Sequence, residues 1–306
     1  MADMPTSLQI WLKSFNDALA EAKQLGIPPT PEMARLGLAT ITQQFVTSRV
    51  DISRVFDTHI HGTSIPCRIY HPSPEHELPI LLFIHGGGHM CGSIEVYDPI
   101  SRRLAHHSQH IVVTIDYRLS PEHPYPKGLV DCIMGLEEMI NTLKPLPIAF
   151  EPTISLAGDS AGGALAATLA QRNPDSVDKL VLIYPSLDYT FSCESLIDYR
   201  EGFILETAKI QWYFDQYFQL GENRHEASPL FGALPSNHPA TTLITAGFDP
   251  IQDEGKRYFE RLQILGVEST HQHFDDMTHA FLNLEDLVSE HCAATYRHIS
   301  DFLNPQ

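Results

Sequence analysis

The sequence has 306 residues, of which 43% are hydrophobic and 19% charged, a composition that excludes an intrinsically disordered chain. Its 38 acidic and 20 basic residues give a formal net charge of −18, which argues against nucleic-acid binding, because lysine and arginine supply most of the affinity for phosphates. The same charge would repel anionic lipid headgroups, so we expect neither a nucleic-acid partner nor a membrane partner.

The N-terminal segment, residues 1–50, predicts amphipathic helices. Apolar residues recur at helical spacing from Leu8 to Leu19 and do not form the unbroken apolar run of a signal peptide. A run of about 18 apolar residues is found nowhere in the sequence, so we expect no membrane-spanning helix. The five cysteines are odd in number and form no C-x-x-C pair, which predicts free thiols and a cytoplasmic location.

From about residue 78, short apolar runs alternate with amphipathic stretches of helix length. The runs are LPILLFIH, HIVVTIDY, TISLAG, KLVLIYP and TTLITAG. Near-continuous apolar strands separated by helices indicate a parallel sheet covered on both faces, so the predicted fold class is doubly wound α/β. Before the first run, DTHIHGTSIPCRIYH predicts an antiparallel hairpin at the sheet edge.

A glycine-rich sequence, HGGG at residues 85–88, follows the first apolar run. By itself it could be merely a flexible loop. Glycines at a strand end also let backbone N–H groups approach a substrate without a Cβ in the way. Together with the serine motif described next, this favours Gly87 and Gly88 as oxyanion-hole donors. We expect His89 and Cys91 to line the same pocket.

The sequence GDSAG at residues 158–162 lies between the predicted strand TISLA and an alanine-rich helix. Glycines two positions on either side of Ser160 allow a tight strand-to-helix turn from which this side chain projects. We expect Ser160 to be a nucleophile and the N–H of Ala161 to be a further oxyanion donor.

Residues 188–230 interrupt the alternation with aromatic-rich helical stretches. These and the N-terminal helices could be ordinary peripheral helices, but α/β enzymes insert extra helices above the carboxyl ends of their strands. We therefore interpret both segments as a cap. The expected organisation is an N-terminal cap part at 1–50, a first core part at 51–187, the cap insertion at 188–230 and a second core part at 231–306.

The remaining strand ends supply an acid and a base. Asp249 follows TTLITAG, at the carboxyl end of its strand, and is the expected acid. Asp253 and Glu254 lie on the next helix, where we expect them to cap it or face solvent. His279 follows the last strand, STHQHF, and is the expected base, since the order serine, acid, histidine is typical of this kind of site.

Most of the 17 histidines are expected to be bystanders. Two pairs alternate on predicted strands, His59 with His61 and His271 with His273. Three more are expected at a solvated helix end: His106, His107 and His110. No third ligand completes a metal site around either pair, so we expect no metal.

With these motifs in order, the chain resembles the hormone-sensitive-lipase-like branch of the α/β-hydrolases, which includes bacterial short-chain carboxylesterases and arylacetamide deacetylases. The resemblance runs from about residue 55 to the end of the sequence. It rests on HGGG, DYRLSPEHPYP, GDSAGG, YPSLD, SPL, GFDPIQDEG and the region of His279. It implies an α/β-hydrolase fold with a helical cap, a Ser160–His279–Asp249 triad and an HGGG oxyanion loop; this mechanism needs no cofactor.

The sequence departs from the family around the expected base. Asp276 and Ala280 stand where the family usually has glycine. Asp275 and Asp276 lie close to His279, and extra carboxylates would favour its imidazolium form and raise the pH optimum. In the family-like stretch upstream, we expect Arg118 and Glu122 to form a structural ion pair or to anchor the loop that holds the floor of the site.

These observations predict a serine carboxylesterase that acts on short-to-medium acyl esters through an acyl-enzyme. Two alternatives remain at this stage: an amide hydrolase or deacetylase with the same triad, and a non-catalytic ligand receptor on the same scaffold. The last strand, at the sheet edge, further predicts a homodimer. We expect its pairing to loosen below about pH 6, where His271 and His273 would become charged.

Overall fold

The computed structural model describes residues 4–305. The strands are β1 Arg54–His59, β2 Pro66–His71, β3 Leu78–Ile84, β4 Ile111–Ile115, β5 Phe150–Asp159, β6 Lys179–Ile183, β7 Ala240–Phe248 and β8 Ser269–Thr278. They form one eight-stranded sheet in the order β1-β2-β4-β3-β5-β6-β7-β8. Strand β2 pairs antiparallel with β1 and β4, and the other pairs are parallel, so the predicted α/β fold and edge hairpin are confirmed.

Helices occupy the connections between strands. The α-helices are α1 Thr6–Gln24, α2 Pro31–Phe45, α3 Ile94–Ser108, α4 Lys127–Glu137, α5 Met139–Leu143, α6 Ala161–Arg172, α7 Ser195–Asp198, α8 Thr207–Tyr217, α9 Arg224–Ala227, α10 Gln252–Ile264 and α11 Ser289–Leu303. Helices α1 and α2 precede the sheet, and α7, α8 and α9 all lie between β6 and β7. Within the described residues, no helix is long and apolar enough to cross a membrane.

The side chains of β3 alternate between the two faces of the sheet. Leu81 and Phe83 pack in one hydrophobic cluster with residues of α1, α3 and α11. Ile80, Leu82 and Ile84 pack in the opposite cluster with residues of α4, α6 and α10. All five side chains are fully buried. The nearly continuous apolar sequence of this strand follows from helices covering both faces.

The prediction that His110 belongs to a solvated helix end is wrong. Gln109 ends α3 in the left-handed conformation, with φ 52°, and turns the chain back toward the sheet. His110 is consequently buried directly before β4, with its Nδ1 2.8 Å from the carbonyl oxygen of Ser108. Burial lowers the pKa of His110, whereas His106 and His107 are exposed as expected.

Helices α1 and α2 contact the segment between β6 and β7 and the residues that follow β8. Asn16 Nδ2 donates a hydrogen bond to Gly202 O at 2.9 Å, and Lys23 Nζ lies 2.8 Å from a carboxylate oxygen of Glu206. Helix α2 packs against the 3₁₀ turn at residues 281–287. The two predicted cap segments therefore touch each other beside the end of the last strand.

The predicted ion pair between Arg118 and Glu122 is wrong, because each residue pairs with a different partner. Arg118 Nη2 lies 2.6 Å from a carboxylate oxygen of Asp131, and Glu122 pairs with Arg35 of α2 at the same distance. The hydrogen bond from Arg35 lowers the pKa of Glu122 to about 2. Arg35 also donates to the carbonyl oxygen of Met90, so it ties α2 to the segment after the glycine-rich loop.

Candidate active site

Ser160 lies at a strained turn between β5 and α6. Its φ of 52° and ψ of −121° lie outside the regions that non-glycine residues ordinarily adopt. The glycines on either side permit the turn: a Cβ at Gly158 would lie 2.3 Å from Gly162 O, and one at Gly162 would lie 2.0 Å from Ile84 O. The two glycines are therefore required by close backbone packing.

The structure brings Ser160, His279 and Asp249 into one hydrogen-bonded chain. Ser160 Oγ is 2.8 Å from His279 Nε2, and His279 Nδ1 is 2.7 Å from Asp249 Oδ2. A carboxylate can only accept, so the geometry requires a proton on Nδ1 and leaves Nε2 free to accept from the serine hydroxyl. Asp249 is fully buried, and its other oxygen accepts from Ile251 N–H at 3.0 Å.

The two acidic residues that follow Asp249 have other partners. Asp253 accepts a hydrogen bond from Ser195 N–H at 2.9 Å. Glu254 accepts from the N–H groups of Leu187 and Asp188, and it is 1% exposed. The expectation that Glu254 caps its helix or faces solvent is therefore wrong, because the start of α10 packs under the loop after β6. Burial raises the pKa of Glu254 well above its usual range.

The glycine-rich loop lies beside Ser160. Gly87 and Gly88 have φ values of 117° and 63°, and a Cβ at Gly88 would lie 2.5 Å from the ring of Tyr213. Within the described part of the chain, the N–H groups of Gly87 and Gly88 have no hydrogen-bond acceptor. The N–H of Ala161, at the first position of α6, also lacks an acceptor within its helix. These N–H groups are available to a substrate oxygen.

Asp159 links the nucleophile turn to the glycine-rich loop, a role that sequence analysis missed. Its Oδ1 accepts from Gly86 N–H at 2.7 Å, and its Oδ2 accepts from the Tyr97 hydroxyl at 3.1 Å. The side chain is 2% exposed, and burial raises the pKa of Asp159 to about 7. The available signal was a carboxylate within a motif otherwise made of small residues.

The carboxylates close to His279 in sequence are engaged by other histidines. Asp275 lies 3.1 Å from His273 Nε2, and Asp276 lies 2.9 Å from His291 Nε2. Each of the two carboxylates, which the sequence predicts to favour the imidazolium form of His279, thus has another histidine as its direct partner. Ala280, where glycine is usual in the resembling family, adopts the left-handed conformation with φ 58°.

The expectation that His89 and Cys91 line the pocket is wrong. Neither is among the described residues that line the cavity at Ser160. His89 is 1% exposed; its ring stacks on Tyr217 with centroids 3.8 Å apart, and its Nε2 lies 3.0 Å from the Tyr189 hydroxyl. Its backbone adopts the left-handed conformation with φ 60°, and burial lowers the pKa of His89 to about 3.

A cavity of about 430 Å³ opens at Ser160 and His279. Its walls come from α1, α2, the connection between them, and residues 204–213, and most of the lining side chains are apolar. Charged groups in the lining are Lys23, Glu206, Lys209 and Asp159. Among the described residues, no group of three or more His, Cys, Asp or Glu side chains is arranged to hold a metal ion.

Comparisons with known proteins show the family to which the chain belongs. A family model described as an alpha/beta hydrolase fold matches residues 81–283. The carboxylic ester hydrolase LipN of Mycobacterium tuberculosis is 32% identical over 263 residues, which are 80% of this chain and 69% of that protein. The ethyl acetate hydrolase of Pseudomonas putida is 29% identical over 239 residues, 75% of each chain.

A solved structure is similar over almost the whole length. The hyperthermophilic esterase of the archaeon Pyrobaculum calidifontis superposes with a TM-score of 0.87 at 30% sequence identity, covering 99% of this chain and 98% of that one. The family match and these similarities confirm the predicted resemblance: the chain belongs to the α/β-hydrolase fold family, together with enzymes that are carboxylic ester hydrolases.

Proposed function

We propose that the protein is a serine carboxylesterase that hydrolyses short-to-medium acyl esters through an acyl-enzyme intermediate. The observation that carries this proposal is the hydrogen-bonded chain from Ser160 through His279 to Asp249 at the base of an apolar cavity. The named activities of similar proteins, which are ester hydrolases, support the same reaction class.

In the first half of the proposed reaction, His279 Nε2 takes the proton of Ser160 as the serine oxygen attacks the ester carbonyl carbon. The carbonyl oxygen becomes an oxyanion that accepts hydrogen bonds from the N–H groups of Gly87, Gly88 and Ala161. Asp249 keeps the imidazole in the required tautomer and stabilises its positive charge. His279 then protonates the departing alcohol, which leaves an acyl group on Ser160.

In the second half, His279 removes a proton from water, which attacks the acyl-enzyme carbonyl. The same N–H groups stabilise the second oxyanion. His279 returns its proton to Ser160 as the acid leaves, which restores the starting state. Every proton in the cycle passes through one nitrogen, Nε2, which is the nitrogen that faces the serine hydroxyl.

The cavity supports a small ester as the substrate. Its volume of about 430 Å³ is at the small end of the range for ligand sites, and helices α1 and α2 close it on one side. The similar enzyme from Pseudomonas putida is named for an acetate ester. We therefore expect faster turnover of a dissolved butyrate ester than of an emulsified long-chain triglyceride.

The proposal is tested with p-nitrophenyl esters of increasing acyl length. Ser160→Ala should lose essentially all turnover, whereas Ser176→Ala, which changes an exposed serine outside the cavity, should keep it. If Ser160→Ala retained more than about a hundredth of the wild-type rate, Ser160 would not be the nucleophile.

Two further measurements address the alternatives. A fluorophosphonate probe should label Ser160; absence of labelling together with absence of turnover would favour a ligand receptor. Parallel assays of p-nitrophenyl butyrate and its matched anilide separate ester from amide hydrolysis, and faster cleavage of the anilide would make the protein an amidase.

We also propose a cytoplasmic enzyme that forms a homodimer through β8. All five cysteines are buried and unpaired, which suits a reducing compartment. Strand β8 pairs with β7 on one side and lies at the end of the sheet, so its other edge is available to the same strand of a second copy.

A further inference from the structure

Lys209 is a cation that lines the substrate cavity without a carboxylate partner. Among residues 4–305, no carboxylate oxygen lies within 4.0 Å of Lys209 Nζ. Lys23, by contrast, pairs with Glu206. Lys209 Nζ lies 5.7 Å from the ring centroid of Tyr213, one helical turn further along α8. The ammonium therefore contacts an aromatic face and the apolar cavity rather than an acid.

The electrostatics of this part of the cavity favour an anion. Neither acidic group of the lining pairs with Lys209, because Glu206 pairs with Lys23 and Asp159 accepts hydrogen bonds from Gly86 N–H and the Tyr97 hydroxyl. Lys209 also lies in the first turn of α8, where the helix dipole is positive and an anion is the stabilising neighbour. The surrounding side chains desolvate the ammonium and lower the pKa of Lys209. A bound carboxylate would offset this cost.

Lys209 and the glycine-rich loop border the same aromatic ring. A Cβ at Gly88, an expected oxyanion donor, would lie 2.5 Å from the ring of Tyr213, and Lys209 Nζ lies 5.7 Å from the centroid of that ring. An ester carbonyl held by the glycine-rich loop would therefore lie within a few carbon–carbon bonds of the ammonium. A chain of about three methylene groups covers such a distance.

From these contacts, and assuming the esterase activity proposed above, we infer that the protein prefers esters that carry a carboxylate about three carbons from the ester group, and that Lys209 binds this carboxylate. Such substrates are half-esters of dicarboxylic acids, with the charge on the acyl side, or esters of hydroxy acids, with the charge on the alcohol side. Lys209 is then a specificity-determining residue that takes no part in the bond-breaking steps.

The inference is tested with two pairs of esters matched in shape. The acyl-side pair is monoethyl glutarate and ethyl 5-methylhexanoate, in which a branched alkyl end replaces the carboxylate. The alcohol-side pair is 4-(butanoyloxy)butanoate and 4-methylpentyl butanoate. For each pair, kcat/KM is measured by titrating released acid, and the ratio of the anionic to the neutral ester is compared between variants.

Lys209→Met should lower this ratio by about 10- to 100-fold for one of the two pairs, and that pair identifies the side that carries the charge. Lys209→Arg should retain most of the ratio, since it keeps the positive charge. Lys13→Met should leave it unchanged, because Lys13 lies on the exposed side of α1, paired with Asp17 and outside the cavity lining. Added salt should lower the wild-type ratio.

A ratio that is the same in wild type and Lys209→Met for both pairs would overturn the inference and leave Lys209 with only a packing role on Tyr213. This failure differs from failure of the esterase proposal. In the first case both proteins still hydrolyse the neutral esters, whereas in the second the wild type hydrolyses neither member of either pair.

Discussion

Asp249 and Asp253 illustrate how little separates a site carboxylate from a structural one. Both lie just after β7, but only Asp249 reaches the imidazole, and Asp253 accepts from the backbone of Ser195. The difference arises because Asp249 lies in the loop at the end of the strand, whereas Asp253 lies within the first turn of α10. A difference of one helical turn in position therefore decides which carboxylate reaches His279 and which one binds the backbone.

Asp249→Asn should lower kcat by about 10⁴-fold, the loss observed for the same change in a serine protease, because an amide disrupts the tautomer that the imidazole needs. Asp253→Asn is the matched control and should change kcat far less. Steady-state kinetics on a soluble ester measures both, and equal losses would mean that Asp249 is not the acid.

The contact of Asp159 with Gly86 predicts a second kinetic effect. Asp159→Ala removes the acceptor that anchors the glycine-rich loop, so the donors at Gly87 and Gly88 should be misplaced, with a loss in kcat of roughly 10²-fold and a smaller change in KM. Asp159→Asn retains an oxygen acceptor and should keep most of the activity. A loss confined to KM in the alanine variant would contradict this positioning role.

The raised pKa of Asp159 also predicts a pH dependence of stability. In the unfolded chain this carboxyl titrates near 3.8, and in the folded protein near 7, so between these values the folded state holds a proton that the unfolded state releases. The contribution of Asp159 to stability therefore falls as pH rises. Relative to Asp159→Asn, the wild type should lose roughly 2 kcal/mol between about pH 5 and about pH 8.

Urea unfolding of both proteins at the two pH values measures this difference. Subtracting one protein from the other cancels the titration of all groups that they share. A difference in free energy of unfolding that is constant with pH, or that changes in the opposite direction, would show that the folded state does not raise this pKa.

At the scale of elements, α2 is held over the sheet by the side chain of Arg35. The guanidinium donates to the carbonyl oxygens of Met90 and Ser120 and pairs with Glu122. All three partners belong to loops after β3 and β4, and α2 itself forms part of the cavity wall. One arginine thus connects the wall of the cavity to the segment that follows the glycine-rich loop.

Arg35→Met should increase amide hydrogen exchange in α2 by about 10-fold or more, because at least two charge-assisted hydrogen bonds are lost while the core sheet is untouched. Arg54→Met, which changes an exposed arginine of β1, should leave exchange in α2 unchanged. Equal protection of α2 in both variants would show that apolar packing alone holds this helix.

At the scale of the whole molecule, the histidines of β8 do not behave as the sequence suggested. His271 and His273 both lie 2.7 Å from the hydroxyl of Thr245 in the neighbouring strand, and Phe259 of α10 packs on His271. Burial lowers the pKa of His271 to about 4 and lowers that of His273 as well. The expectation that His271 becomes charged below pH 6 is therefore wrong, because desolvation favours its neutral form, and the lowered pKa of His273 acts in the same direction.

The dimer proposed through β8 should consequently be insensitive to mild acid. Size-exclusion chromatography with light scattering at about pH 8 and about pH 5.5 should give the same dimeric mass, because burial keeps His271 neutral in this range and disfavours the charged form of His273. A monomer at both values, at micromolar protein, would exclude the dimer. Dissociation at the lower value only would show that these histidines do become charged.

The sequence by itself determined the fold class and the order of the site residues. The apolar runs determine the strands, and the glycines around Ser160 determine the turn, both through interactions between residues that are close in sequence. Asp249 and His279 follow strands whose carboxyl ends lie at one edge of a parallel sheet. Such local patterns fix which elements form and which ends meet.

Only the tertiary structure decided which charged groups are paired or buried. Arg35 meets Glu122, 87 positions away, and Glu254 is buried under a loop 66 and 67 positions earlier in the chain. His110, His89 and Lys209 likewise have environments set by distant elements. Periodicity and turn signals depend on adjacent residues, so they can be recognised in the sequence. The burial and the electrostatic environment of a group depend on every element packed around it, so they could be determined only from the tertiary structure.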